Sequence, residues 1–197
     1  MSLPLPTPAM LVVVMAVGES ILMRGRLSKD HSRKADRGSL RMLFIIIPAS
    51  VTLAWLVGRI APQARFDALF TDGPTAAATL YAVGLALFAA ALVLRWYSML
   101  YLGRLFTFDV AIAEDHRVID TGPYRYVRHP AYTGSLLSFV GLGLCGGNLL
   151  SLVVLLVPIT AAFLRRMAIE EAALTAALGS RYADYVARTK RLVPFVY

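Results

Sequence analysis

Five apolar runs, separated by polar or basic intervals, dominate the pattern along the chain: Pro8 to Met23, Met42 to Gly58, Thr75 to Leu94, Ala131 to Cys145 and Leu149 to Leu164. A straight helix needs about 20 residues to cross a bilayer, with roughly 17–25 tolerated. The pattern therefore predicts an all-α, polytopic membrane protein with five transmembrane helices. The last two runs fall short alone and are completed by their inner flanks. Only Gly146-Gly147-Asn148 separates them, and Gly and Asn have the right chemistry for a tight reversal. A helical hairpin is expected there. The alternative is a re-entrant loop, which would have to be buried in protein because non-helical backbone at depth finds no water. Glu19 interrupts the first run and Pro48 the second. An ionisable group inside a span usually faces the bundle interior. Glu19 also lies within a turn and a half of Arg24, so a second expectation is that it reaches the interface.

Composition strengthens the membrane reading. Of the 197 residues, 58% are hydrophobic and 16% charged, beyond the usual balance of a soluble domain. The mean hydropathy of +0.64 agrees. One domain, 1–197, is the natural expectation at this length. The net charge of +8 could suggest nucleic acid, but the cations sit between apolar runs and form no basic domain, so lipid headgroups and topology explain them better. With the N-terminus outside, segments 24–41, 95–130 and 165–197 lie inside and hold 18 of the 20 Lys and Arg. Only Arg59 and Arg65 remain outside. That asymmetry predicts a cytoplasmic C-terminus. The basic stretch Arg24 to Arg41 reads as a headgroup-facing loop. Met1 to Met10 carries no Lys or Arg, so the basic start of a signal peptide is not expected. The single Cys145 lies in an apolar run and reads as a small buried hydrophobe.

Chemistry-bearing residues gather in one stretch, His116 to Tyr132, on the predicted cytoplasmic side. Within it His129-Pro130 is the sharpest feature. Proline suits the first turn of a helix and keeps the preceding residue out of the α region. His129 should sit just outside the fourth span with its ring at the water–lipid boundary and Arg128 at headgroup level. Gly122-Pro123 marks a turn. Between the turns, Tyr124 and Tyr126 would share one face of an extended backbone. An interfacial belt of aromatics and arginines accounts equally well for Arg125, Tyr126 and Arg128. Beyond the fifth run, Arg166 and Glu170 are four apart and lie on one helix face. They read either as an exposed ion pair or as opposite charges at a cavity mouth. His31, His116 and His129 are dispersed without metal-ligand spacing, and neither phosphate-binding glycine motifs nor a nucleophile elbow occurs. No metal is expected.

The block Gly122-Pro123-Tyr124-Arg125-Tyr126-Val127-Arg128-His129-Pro130-Ala131-Tyr132-Thr133-Gly134, followed by Arg166 with Glu170-Glu171 and by Gly179-Ser180-Arg181-Tyr182-Ala183-Asp184-Tyr185, resembles the isoprenylcysteine carboxyl methyltransferase family, itself similar to membrane phospholipid methyltransferases. The Arg191-Leu192-Val193-Pro194 segment is also similar. The resemblance covers residues 95–197, making 1–94 three N-terminal spans and 95–197 the cofactor-binding catalytic part. It implies S-adenosylmethionine as methyl donor, bound at the cytoplasmic face, and a lipophilic acceptor arriving from the bilayer. It further implies that His116, Arg117, Val118 and Ile119 lie along the cofactor. Tyr124, His129, Pro130, Ala131 and Tyr132 would complete the pocket, Glu170 would contact the cofactor, and Arg166 would face the acceptor. The implied catalytic set is Arg166, Glu170 and His129. Asp109 falls where some relatives place a cofactor-contacting glutamine.

The residue types suit that chemistry. A sulfonium, an amino acid head and an adenine ring find partners in carboxylate, imidazole and aromatic groups. In-line methyl displacement draws most of its catalysis from positioning. A carboxylate acceptor is already ionised, whereas a phenol or amine needs deprotonating help, for which His129 or Glu170 are the candidates. A prenylated or lipidic carboxylate is the first expectation for the acceptor, with a phenolic lipid, a thiol or a phospholipid amine as alternatives. Two rivals stand beside the methyltransferase: a sterol-reductase-like, NADPH-dependent membrane reductase, and a small non-enzymatic transporter or assembly protein. The latter would place more ionisable residues inside the spans.

Overall fold

The computed structural model describes residues 5–24, 38–69, 73–108, 117–194 and 196. His31, Asp109, His116 and most of the basic stretch after Arg24 lie outside the described residues. The described chain is helical: α1 (Pro8–Met23), α2 (Ser39–Ile60), α3 (Gly73–Leu102), α4 (Pro130–Gly146), α5 (Leu149–Leu178) and α6 (Ser180–Arg188), with short 3-10 turns between them. Among the described residues β-structure is limited to two isolated bridges, Arg65 with Asn148 and Val127 with Lys190.

All five apolar runs form helices. Ser39–Ile60, Gly73–Leu105 and Leu149–Leu178 are long and apolar enough to cross a membrane, whereas α1 has 16 residues and α4 has 17. Large apolar side chains such as Ile45, Trp55, Ile60, Val93 and Val157 point outward, as expected where lipid rather than water surrounds the bundle. The third helix runs past the expected end at Leu94 to Leu102, so Arg95 is an intrahelical residue rather than part of an inner loop. The apolar part of α5 ends at Leu164, and its continuation carries Arg165, Arg166, Glu170 and Glu171.

Local chemistry explains the boundaries. The Thr7 side chain accepts from Met10 N at 3.3 Å, capping α1. The hairpin turn uses Gly147 at φ +70° as the C-cap of α4. Asn148 follows immediately as N-cap of α5, accepting from Ser151 N at 2.9 Å. Its amide also donates to Ala61 O at 2.8 Å, fastening the turn to the end of α2.

The most extensive interface joins α3 and α4, and the next joins α2 and α5. Small residues set the first. A Cβ on Gly141 would lie 2.6 Å from Gly84 O and Phe88 N, and one on Gly134 would lie 2.7 Å from Arg95 N. These are backbone atoms that cannot step aside, so the glycines permit a close helix approach. The first helix packs lightly, touching mainly α4. Its firmest link is polar: Arg95 Nε and Nη2 each donate to a Glu19 oxygen at 2.6 Å, and Trp96 Nε1 donates to Glu19 Oε1 at 3.3 Å. Arg95 Nη1 adds bonds to Ala131 O at 3.2 Å and to Ser135 Oγ. Glu19 therefore turns into the bundle, and the expectation that it reaches the interface beside Arg24 is corrected.

Candidate active site

At the head of α4 the chain turns sharply. Gly122, at φ +57°, begins the 3-10 turn Gly122–Arg125, and a Cβ there would meet the Tyr101 ring at 2.6 Å. The turn separates the two tyrosines expected on one face. Tyr124 is buried, its hydroxyl donating to Ser98 O at 3.1 Å, while Tyr126 is 58% exposed. A turn rather than an extended segment accounts for the difference.

His129 is the N-cap of α4 and Pro130 its first helical residue, as the His-Pro sequence predicts. The ring, however, is not at a water–lipid boundary. The residue is 4% exposed, because the segment 190–192 folds over it. Arg128 N donates to Lys190 O at 2.7 Å, His129 N to Arg191 O at 3.0 Å, and Thr133 Oγ1 to Leu192 O at 2.7 Å.

Glu171 gathers the charges beneath this crossing. It accepts from Arg128 Nε at 2.9 Å, from His129 Nε2 at 3.1 Å and from Arg191 Nη2 at 2.6 Å. An ionised carboxylate only accepts, so its contact assigns the proton to Nε2 of His129. Burial alone would raise the Glu171 pKa, but hydrogen bonds from His129, Arg191 and Arg128 outweigh it and hold the group down at about 2. Arg128 is thus an internal partner, not a headgroup-level cation.

Glu170, the next residue, faces the other side of His129, with Oε1 4.0 Å from Nδ1. Tyr132 links it to Arg166: Arg166 Nε donates to the Tyr132 hydroxyl at 2.8 Å, and that hydroxyl donates to Glu170 Oε2 at 3.0 Å. Arg166 is 3% exposed and also donates to Ser39 Oγ at 2.8 Å and to Phe108 O. The reading of Arg166 and Glu170 as an exposed ion pair is overturned. Helix α2 and Phe108 close over the guanidinium.

These groups border a cavity of about 620 Å³, within the usual range for a small-molecule site. Of the sequence-predicted residues, Arg117, Val118, Ile119, Tyr124, His129, Ala131, Tyr132, Arg166 and Glu170 line it. Pro130 is fully buried beside them, and His116 lies outside the described residues. The cavity continues between α1 and α2 along Met15, Leu43, Phe44, Ile47 and Val51, so a polar end passes into an apolar arm. Sequence reasoning missed Glu171, the Glu19–Arg95 pair that also lines the wall, and Ser39. A signal for Glu171 was present in its adjacency to Glu170 on a helix, where successive residues face different neighbours.

The donor set fits S-adenosylmethionine. Carboxylate (Glu170), imidazole (His129) and aromatic (Tyr124, Tyr132, Tyr182, Tyr185) groups share one cavity end, and among the described residues no cluster able to hold a metal ion is found.

A family model described as phospholipid methyltransferase matches residues 79–181. Protein-S-isoprenylcysteine O-methyltransferase B of Arabidopsis thaliana is 32% identical over 115 residues, 57% of this chain and 58% of that protein. The protein-S-isoprenylcysteine O-methyltransferase of Schizosaccharomyces pombe is 30% identical over 105 residues, 52% of this chain and 44% of that protein. The chain thus spans about half the length of these curated relatives. A solved eukaryotic intramembrane Ras methyltransferase, an isoprenylcysteine carboxyl methyltransferase, shares the fold with a TM-score of 0.69 and 21% identity, covering 96% of this chain and 65% of that one. The matched segment begins inside α3 and takes in the His129 turn, the hairpin, Arg166 and Glu170. By that match the chain belongs to the phospholipid methyltransferase family.

Proposed function

We propose that this chain is an integral membrane methyltransferase that uses S-adenosylmethionine to methylate a lipophilic carboxylate, its acceptor a prenylated or similarly lipidic molecule. One observation carries the reading: the Arg166–Tyr132–Glu170 relay and His129 meet at the polar end of a cavity whose other arm is apolar. The relatives' activity on isoprenylcysteine supports the same acceptor class.

When bound, S-adenosylmethionine supplies an electrophilic methyl group on a sulfonium that leaves as a neutral thioether. Glu170, with Tyr132 holding one oxygen, would balance the cofactor's positive charge. Arg117, Val118, Ile119, Tyr124, Ala131 and His129 would border its remaining length. Arg166 would orient the acceptor carboxylate, its own direction fixed by Ser39, Phe108 and Tyr132. The ionised carboxylate is already the nucleophile, so these side chains act by positioning and by excluding water rather than by removing a proton. The arm between α1 and α2 would take the acceptor's hydrocarbon. A phospholipid amine is the second reading, favoured by the matched family and by His129, whose Nδ1 is an acceptor in the neutral tautomer that donates from Nε2 to Glu171.

Five spans with the N-terminus outside and the pocket on the cytoplasmic side complete the proposal. The basic residues Arg117, Arg125, Arg128, Arg165 and Lys190, all near the polar end of the cavity by sequence, support that orientation. Titration calorimetry of the purified protein with S-adenosylmethionine tests the cofactor: binding is expected and is weakened by Glu170→Ala. Absence of binding by the unmodified protein would sink the methyltransferase reading. Radiolabelled methyl transfer into a membrane lipid extract then tells a base-labile ester from a methylated amine.

A further inference from the structure

One polar atom at the site is conspicuously unfulfilled. Tyr182 is 3% exposed, lines the cavity, and its hydroxyl is the single buried side-chain N or O atom without a hydrogen-bond partner among the described residues. A buried hydroxyl with no partner is destabilising, and native proteins rarely leave one so. Its neighbour Tyr185 shows the contrast: at a ring distance of 6.0 Å, its hydroxyl donates to Tyr124 O at 2.7 Å.

We infer that the Tyr182 hydroxyl donates a hydrogen bond to the adenosine half of the cofactor, making it a binding residue of the site; this rests on the S-adenosylmethionine reading above. The surroundings choose the donor role and the ligand end. Burial raises the phenol's pKa, with Glu171 and Glu170 adding to the rise, so the group stays a neutral O–H. The charge of Glu171 is already met by Arg128 and Arg191, which leaves Glu170 for the cationic part of the ligand. Tyr124, Tyr185, Leu174 and Leu178 line the same cavity, and aromatic and aliphatic walls suit a planar purine with ring nitrogens that accept.

The test is Tyr182→Phe in the full chain, read by calorimetry and by thermal unfolding. Affinity for S-adenosylmethionine should fall ~10-fold, while the melting temperature of the ligand-free protein holds or rises because the unfulfilled hydroxyl has gone. Tyr185→Phe, which loses a bond made within the protein, should lower that melting temperature. Competition with 5′-methylthioadenosine, which keeps the adenosine but lacks the amino acid head, should show the same ~10-fold loss in Tyr182→Phe. Weakened S-adenosylmethionine with unchanged methylthioadenosine would move the contact to the amino acid head and overturn the assignment. Unchanged affinity for both, or a melting temperature that falls with Tyr182→Phe, would overturn it as well. A wild-type protein that binds neither compound overturns the methyltransferase reading, whereas binding without Tyr182 dependence overturns this inference alone.

Discussion

The Glu171 carboxylate lies 3.1 Å from His129 Nε2, and the contact joins the head of α4 to the polar continuation of α5. Two arginines share the same carboxylate. Replacing Glu171 leaves the buried Arg128 without its counter-charge, so the cluster behaves as a unit.

Acid should dissolve that unit. The Glu171 carboxyl is depressed from 4.5 to about 2, so its stabilisation is present above pH 4.5 and is lost as pH falls towards 2. Glu171→Gln should be less stable than the natural protein at neutral pH by roughly 2–3 kcal/mol, and the gap should narrow steadily below pH 4.5. Thermal unfolding in detergent across that range checks the sign; a gap that widens in acid would refute it.

Tyr132→Phe removes one hydroxyl and with it both the bond from Arg166 and the bond to Glu170. Stability should drop by about 1–2 kcal/mol, while methyl transfer falls ~10–100-fold because the carboxylate and guanidinium lose their common anchor. Parallel measurement of melting temperature and kcat/KM separates the two effects.

Gly141→Ala places a methyl group against Gly84 O and Phe88 N at 2.6 Å. Since the obstacle is backbone on both counts, α3 and α4 must move apart, at a loss of roughly 1–3 kcal/mol. Gly146→Ala meets nothing within 4 Å and should leave the unfolding midpoint nearly unmoved. Comparison of the two midpoints tests whether the α3–α4 interface, rather than helix propensity, sets the effect.

Arg95→Ala strands the Glu19 carboxylate in a partly buried wall, with 14% and 22% side-chain exposure for the two partners. A loss of about 3 kcal/mol is expected, shown as proteolysis of a loosened α1. Glu19→Gln with Arg95→Gln should be milder than Arg95→Ala, because no charge is left alone. Equal damage from both variants would show that the methylene stems, not the charges, hold α1.

The helices were legible because each apolar run is also the length of a helix, and His129 at the head of α4 followed from Pro130. The Gly147–Asn148 reversal followed from the residues' own conformational habits. Burial of the polar residues was not legible. Arg128 and Arg166 look like headgroup and surface cations until residues 190–192 and Ser39 are seen to cover them. The same holds for Glu19, whose partner Arg95 is remote in sequence and reads as part of an inner loop. Spacing along one helix, as for Arg166 and Glu170, says which residues are close but not what is inserted between them. Tyr132 is the inserted group.

The hairpin has one more consequence. His129 and Glu170 stand at one end of two helices whose join, Gly147–Asn148, is at the other. Their meeting is therefore a matter of counting. A residue added to either arm would swing everything beyond it by about 100° and advance it by ~1.5 Å, enough to turn Glu170 away from His129. Substitutions among the apolar residues preserve that count, whereas insertions and deletions do not. The two helices act as a ruler, and the tolerance of this chain to change should be read in length before it is read in composition.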